Sequence, residues 1–111
     1  MNARRAAMVL GVLLLGFGSG GAEAADAAAK GRALAERLCA NCHMVPGQGE
    51  KRAENEIPGF AAVARRRNQT PEGIIAWLRD VPPIMPNHHL SQDEMYDLAA
   101  FIMTLRDAPK R

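Results

Sequence analysis

The stretch "LCANCHMVPG", residues 38–47, contains two cysteines three positions apart, with a histidine directly after the second. A C-x-x-C pair can form a thioredoxin-like redox disulfide, half of a zinc site or the anchor of a covalently attached haem. These possibilities belong to three different kinds of protein, and the rest of the sequence discriminates between them.

The zinc and disulfide interpretations lack the partners that they need. A structural zinc ion takes four ligands, usually from two close pairs, but Cys39 and Cys42 are the only cysteines. The histidines His88 and His89 are adjacent and would chelate one metal poorly. A thioredoxin-like fold needs a βαβ pattern around the motif, and the sequence offers no convincing strand. The motif also follows a predicted helix, whose C-terminal end does not stabilise a thiolate.

The haem interpretation uses all three residues of the motif. The thiols of Cys39 and Cys42 would each add across one haem vinyl group, which makes two thioethers. The next residue, His43, would then lie under the iron as its proximal ligand. Because C-x-x-C-H is a recognised attachment signature, we predict one covalently bound haem c.

Residues 1–24 have the order of a secretory signal peptide, with arginines in "MNARR", an apolar run over residues 6–18 and "AEA" at 22–24. The apolar run is shorter than the roughly 20 residues of a membrane span. We predict cleavage after Ala24, with Ala27 as a second choice, and export to the periplasm. An uncleaved N-terminal anchor is the alternative, since short apolar runs can span with flanking help.

Residues 25–111 have room for one domain. Removing Arg4, Arg5 and Glu23 changes the net charge from +2 to +1, so the strongly basic face of a nucleic-acid-binding protein is not expected. A chain this short commonly needs a staple such as a disulfide or a metal. With two cysteines, a disulfide framework is not available, and composition suggests that something other than protein fills the core.

Helical periodicity and capping signals predict an all-α domain with four helices, over residues 26–39, 59–67, 70–80 and 91–107. The third begins with the N-cap Thr70 and Pro71, and the fourth with a capping box formed by Ser91 and Glu94. The expected apolar faces are formed by Phe60, Val63 and Ala64; by Ile74, Trp77 and Leu78; and by Met95, Leu98, Ile102 and Leu105, with Phe101 beside them.

The chain resembles the small class I mono-haem c-type cytochromes over nearly all of residues 25–111. "GRALAERLCANCH" is similar to their N-terminal helix, and "PIMPNHHLSQDEMYDLAAFIMTL" to their methionine-ligand loop and C-terminal helix. The resemblance implies the cytochrome c fold, in which about four helices pack around one covalent haem. Three departures concern the subfamily rather than the class: Ala35 replaces a common aromatic, Met44 a usual small residue and Phe101 a frequent tyrosine.

Met85 is the predicted sixth ligand of the iron. It lies in "PPIMPN", where Pro83 and Pro86 restrict the backbone, and the axial methionine of the resembled family lies in such a loop. Met44 is next to the proximal histidine and cannot reach the opposite face of the haem, while Met95 and Met103 are expected in the core. Either His88 or His89 is the alternative ligand, and either would lower the reduction potential.

The resemblance also implies residues around the ligands. The carbonyl of Pro58 is expected to accept a hydrogen bond from His43, with Pro46 as the alternative. Gly31 and Phe101 are expected at a close crossing of the first and last helices. Trp77 is expected near the haem edge, although a plain core role is also open.

These residues predict a periplasmic electron carrier that transfers single electrons and does no bond-making chemistry, hence not an enzyme. Its partners would be redox proteins such as a periplasmic dehydrogenase or oxidase, and the mature chain would be a monomer without a membrane span. The alternatives are a dedicated subunit of a dehydrogenase, or a haem enzyme or gas sensor with an open iron site. Arg65, Arg66 and Arg67 form the only charge run, which could dock an acidic partner, neutralise haem propionates or be a solvated helix face.

Overall fold

The computed structural model describes residues 11–12, 20–46 and 57–108. Its helices are α1 (Gly20–Leu38), α2 (Phe60–Ala64), α3 (Pro71–Arg79) and α4 (Gln92–Thr104). Since these described ranges contain no strand, the predicted all-α fold is confirmed. None of the helices among them combines the length and the apolar character that a membrane crossing requires.

The ends of the helices follow local chemistry, with three corrections to the predicted bounds. The helix α4 ends at Thr104 rather than at residue 107. The helix α1 begins at Gly20 instead of residue 26, because residues 22–29 are mostly alanine, the best helix former. It therefore runs through the predicted cleavage positions, while residues 1–10 and 13–19 of the predicted signal peptide lie outside the described residues. The helix α2 ends at Ala64, since the chain turns over the three arginines and reaches a left-handed backbone at Asn68.

The predicted caps of α3 and α4 are present. The backbone N–H of Gly73 donates to the hydroxyl of Thr70 over 3.0 Å. In the capping box of α4, the N–H of Glu94 donates to Ser91 Oγ over 3.1 Å, and the N–H of Ser91 donates to the Glu94 carboxylate over 2.8 Å. Both caps satisfy donors that the first turn of a helix leaves unpaired.

The helices α1 and α4 form the main helix pair of the domain, and a glycine permits their close crossing. A Cβ added to Gly31 would overlap the carbonyl group of Asp97 and lie 2.9 Å from the backbone nitrogen of Leu98. The predicted crossing is therefore present, but it lies one turn before Phe101. Phe101 itself is buried in the core.

The core lies between α4 and the other three helices. The predicted apolar stripe of α4, which ends at the C-cap Leu105, is buried with exposed fractions of at most 8 %, and Ala99 is buried beside it. The prediction for α3 was partly wrong: Ile74 and Ile75 are buried, whereas Trp77 is 44 % exposed. Buried core residues outside α4 include Ala35, Val45, Phe60, Ala64, Ile74 and Ile75.

Candidate functional site

The C-x-x-C-H motif forms a tight turn directly after α1. The N–H of Cys39 still donates to Ala35 in the helical pattern, over 2.9 Å. The N–H groups of Cys42 and His43 then both donate to the carbonyl of Cys39, over 3.2 and 2.9 Å. This turn places Cys39 and His43 on the wall of one cavity and leaves Cys42 exposed beside it.

The cavity has a volume of about 300 Å³ and lies between the motif, α2, α3, the loop before α4 and α4 itself. A thiol, an imidazole and a thioether line it together: Cys39 and His43 come from the motif, and Met85 comes from the loop before α4. Much of the remaining wall is apolar, and its members include Pro58, Phe60, Val63, Ile74, Trp77, Leu78, Leu98 and Ile102. A site of this kind excludes water from whatever the three side chains hold.

The ring of His43 is held through one of its nitrogens and through one of its faces. Its Nδ1 lies 2.8 Å from the carbonyl oxygen of Pro58, which can only accept a hydrogen bond. The ring of Phe60 stacks on it with a centroid distance of 5.0 Å and an angle of 24°. In the neutral imidazole, a proton on Nδ1 makes Nε2 the nitrogen that can bind a metal.

The alternative acceptor, Pro46, has another partner. Its carbonyl oxygen accepts a hydrogen bond from Arg32 Nη2 over 3.2 Å, and Arg32 also pairs with Glu36 one turn along α1. The segment that follows the motif is thus hydrogen-bonded to α1.

The loop before α4 turns one side chain inward and its neighbour outward. The N–H of Met85 donates to the carbonyl of Pro82 over 2.9 Å, which closes a turn within the proline-rich segment. Met85 is half-buried and lines the cavity, whereas Ile84 is 90 % exposed. The loop therefore presents the thioether to the same space as the imidazole of His43.

The two histidines that follow Met85 are placed differently. His88 lines a smaller crevice next to the cavity, which Met85 and Leu98 also line. His89 is exposed, with a left-handed backbone (φ 51°), and its N–H donates to the side chain of Asn87 over 2.8 Å. Neither ring lines the cavity that contains His43.

The other methionines of the described residues lie away from this cavity. Met44 is 43 % exposed, Met95 is buried and Met103 packs against the core. None of the three lines the cavity wall.

Cys39 does not have the environment of a redox thiol. Burial, together with the neighbouring Cys42, raises the pKa of the Cys39 thiol to about 11. Cysteines that exchange disulfides have depressed pKa values instead, so the thioredoxin-like alternative loses support. Within residues 11–12, 20–46 and 57–108, no group of three or more His, Cys, Asp or Glu side chains is placed to hold a metal ion.

The charge run was only partly understood from the sequence. Arg66 and Arg67, together with Gln69, line the cavity. Arg65 is half-buried and points elsewhere, to carbonyls beyond the end of α4. The run begins at the C-cap of α2 and is therefore not a solvated helix face. Trp77 also lines the cavity while remaining 44 % exposed, so the cavity reaches the surface at this residue.

This set of residues fits a covalently held haem. The motif offers two thiols, one on the cavity wall and one beside it, and an imidazole and a thioether enter the same space. The walls are largely apolar, as a porphyrin requires, and the two arginines suit its carboxylate groups. The stacking of Phe60 on His43 was not found by sequence reasoning, since no local pattern places it there. A role for the arginine run beside the haem carboxylates was one of three alternatives that the sequence left open, and the cavity wall contains Arg66 and Arg67 but not Arg65.

Comparison with known proteins agrees with this fit. Residues 26–102 match the model of the family described as cytochrome c oxidase, cbb3-type, subunit III. A protein of Bradyrhizobium diazoefficiens named cytochrome c-552 is 43 % identical over 95 residues, which cover 86 % of this chain and 89 % of that protein. No solved structure shows a significant match.

Proposed function

Since this chain belongs to the family of small c-type cytochromes, we propose that it is an exported electron carrier with one haem c, ligated by His43 and Met85. The observation that carries the proposal is the convergence of Cys39, His43 and Met85 on one cavity. When bound there, haem supplies a single iron that gains or loses one electron.

The motif would hold the haem and one side of its iron. Cys39 and Cys42 would bear the two thioethers, and His43 would bind the iron through Nε2. The Pro58 carbonyl, 2.8 Å from Nδ1, would fix the tautomer and the ring orientation and make the imidazole a better donor. Phe60 would restrict rotation of the His43 ring, because the two rings are stacked against each other.

Met85 would be the second protein ligand of the iron, since its side chain lines the same cavity as His43. Its thioether favours reduced iron and thereby raises the reduction potential, whereas a histidine would lower it. A protein ligand at this position also closes the iron to small molecules, which supports an electron carrier over a haem enzyme or a gas sensor. The placement of His88 and His89 outside the cavity supports Met85 over either histidine.

The surrounding side chains would keep the site dry and connect it to the surface. Ile74, Leu98 and Ile102 are buried to at least 95 % and line the cavity. Trp77 lines it and is 44 % exposed, so we place the exchange of electrons with redox proteins at this part of the surface. The N-terminal pattern supports export to the periplasm with cleavage after Ala24.

The proposal is tested by voltammetry of the protein purified from cells that mature c-type cytochromes. We expect one reversible wave with the slope of a single-electron couple and one electron per chain. The double variant Cys39→Ser, Cys42→Ser has no thiol for attachment. It should give no such wave once haem that is not covalently bound has been removed. A matured wild type with no reversible wave, or with a two-electron slope, would contradict the proposal.

A further inference from the structure

Two arginines join the end of α2 to the end of α4 by crossed hydrogen bonds. Arg65, the C-cap of α2, donates to the carbonyl oxygens of Arg106 and Ala108 over 3.3 and 2.7 Å. Arg106, just beyond the C-cap of α4, donates to the carbonyl oxygens of Ala64 and Gln69 over 3.2 and 3.5 Å. Each guanidinium thus serves the carbonyls of the other's segment, and we call the two residues the crossed pair.

The crossed pair has a clear electrostatic reason. The last carbonyls of a helix lack partners within it, and they give that end a partial negative charge. The ends of α2 and α4 lie side by side in this fold, so their carbonyls would repel one another. A guanidinium carries several donors in a fixed plane and can bridge two carbonyls at once, which a lysine cannot do in the same geometry.

The segment held by the crossed pair is a wall of the cavity. It begins at Ala64 and ends at Gln69, the two residues whose carbonyls accept from Arg106. Between them, Arg66 and Arg67 line the cavity, as does Gln69. The segment is also tied internally, since the side chain of Gln69 donates to the Val63 carbonyl over 3.1 Å.

We infer that the crossed pair, Arg65 with Arg106, positions the charged wall of Arg66 and Arg67 against the haem and thereby raises its reduction potential. The inference rests on the proposed function, because it concerns haem in this cavity. Oxidation adds a positive charge at the iron, so cations held nearby favour the reduced form. The same cations can pair with the carboxylates of the haem, which would otherwise stabilise oxidised iron.

The test uses substitutions that keep the positive charge of each arginine and remove the planar set of donors that bonds two carbonyls. Arg65→Lys and Arg106→Lys retain a cation but cannot form both hydrogen bonds. We expect each to lower the potential, so that the ratio of reduced to oxidised protein at a set potential falls by up to about tenfold, which is about 59 mV for one electron. The double variant Arg66→Gln, Arg67→Gln should have a still lower potential. Adding Arg65→Lys to this double variant should then change the potential little.

Arg79→Lys is the matched control. Arg79 is exposed on α3 and bonds Gln92 over 2.6 Å without lining the cavity, so its substitution should leave the potential unchanged. If Arg65→Lys and Arg106→Lys unfold more easily but keep the wild-type potential, the pair is merely structural and the inference is wrong. If the wild type carries no covalent haem, the proposed function fails instead, and mass and visible spectra of each variant separate the two cases.

Discussion

Replacement of Met85 by alanine is expected to lower the reduction potential by an amount on the order of 0.1 V, within the ~0.8 V range that axial ligands cover. The substitution removes the thioether that favours reduced iron. It also opens one axial position, so carbon monoxide should bind the reduced protein. The wild type, with both positions filled, should not bind it rapidly. Redox titration and visible spectroscopy under carbon monoxide measure both effects.

Three further substitutions make this prediction specific to Met85. The oxidised wild type should show a weak far-red band from sulfur-to-iron charge transfer, which Met85→Ala should abolish. In the variant Met85→His the iron should remain six-coordinate, but the reduction potential should also be lower than in the wild type. Met95→Leu and Met103→Leu are swaps of similar volume in or against the core, so they should keep the band and cost less than about 1.5 kcal/mol. A band that survives Met85→Ala and disappears in Met103→Leu would show that Met103, and not Met85, is the iron ligand.

Gly31→Ala is expected to destabilise the fold by about 3 kcal/mol, although alanine is the better helix former by about 1 kcal/mol. The added Cβ would overlap the backbone carbonyl of Asp97, and backbone cannot move aside as a flexible side chain can. The helices α1 and α4 would therefore have to separate, which would disturb the core on both sides. Denaturant unfolding of the matured protein measures the difference.

Ala29→Val is the matched control for Gly31→Ala. It enlarges a residue on the same helix, but Ala29 is exposed, so only the lower helix propensity of valine should be felt, at less than about 1 kcal/mol. If Gly31→Ala were neutral or stabilising while Ala29→Val behaved as expected, the close crossing of α1 and α4 would not exist in solution.

Local signals predicted the parts of the fold that depend on local chemistry. The caps at Thr70 and Ser91 follow from side chains that bond the first turn of their own helix. The buried stripe of α4 follows from its period. The close crossing at Gly31 was expected from the family resemblance with Phe101 as its partner, whereas the structure brings Gly31 against the backbone of Asp97 and Leu98. The motif at Cys39, Cys42 and His43 predicted the haem once the lack of a second cysteine pair and of convincing strands had removed the alternatives, because attachment needs those residue types at that spacing.

The misplaced features depend on tertiary contacts. Nothing near Arg65 in the sequence indicates that its guanidinium bonds the carbonyl of Ala108, which is far along the chain. The charge run was therefore treated as one unit, although the structure directs Arg65 to the end of α4 and its neighbours to the cavity. Trp77 was expected both on the buried face of α3 and near the haem edge; it lines the cavity but is 44 % exposed, so only the expectation of burial was wrong.

The intact mass of the matured protein shows whether Cys39 and Cys42 hold one haem. After acid–acetone extraction of the periplasmic protein, we expect the mass of a chain beginning at Ala25 plus one haem. The bare polypeptide mass, obtained from cells that attach haem to other c-type cytochromes, would contradict this expectation.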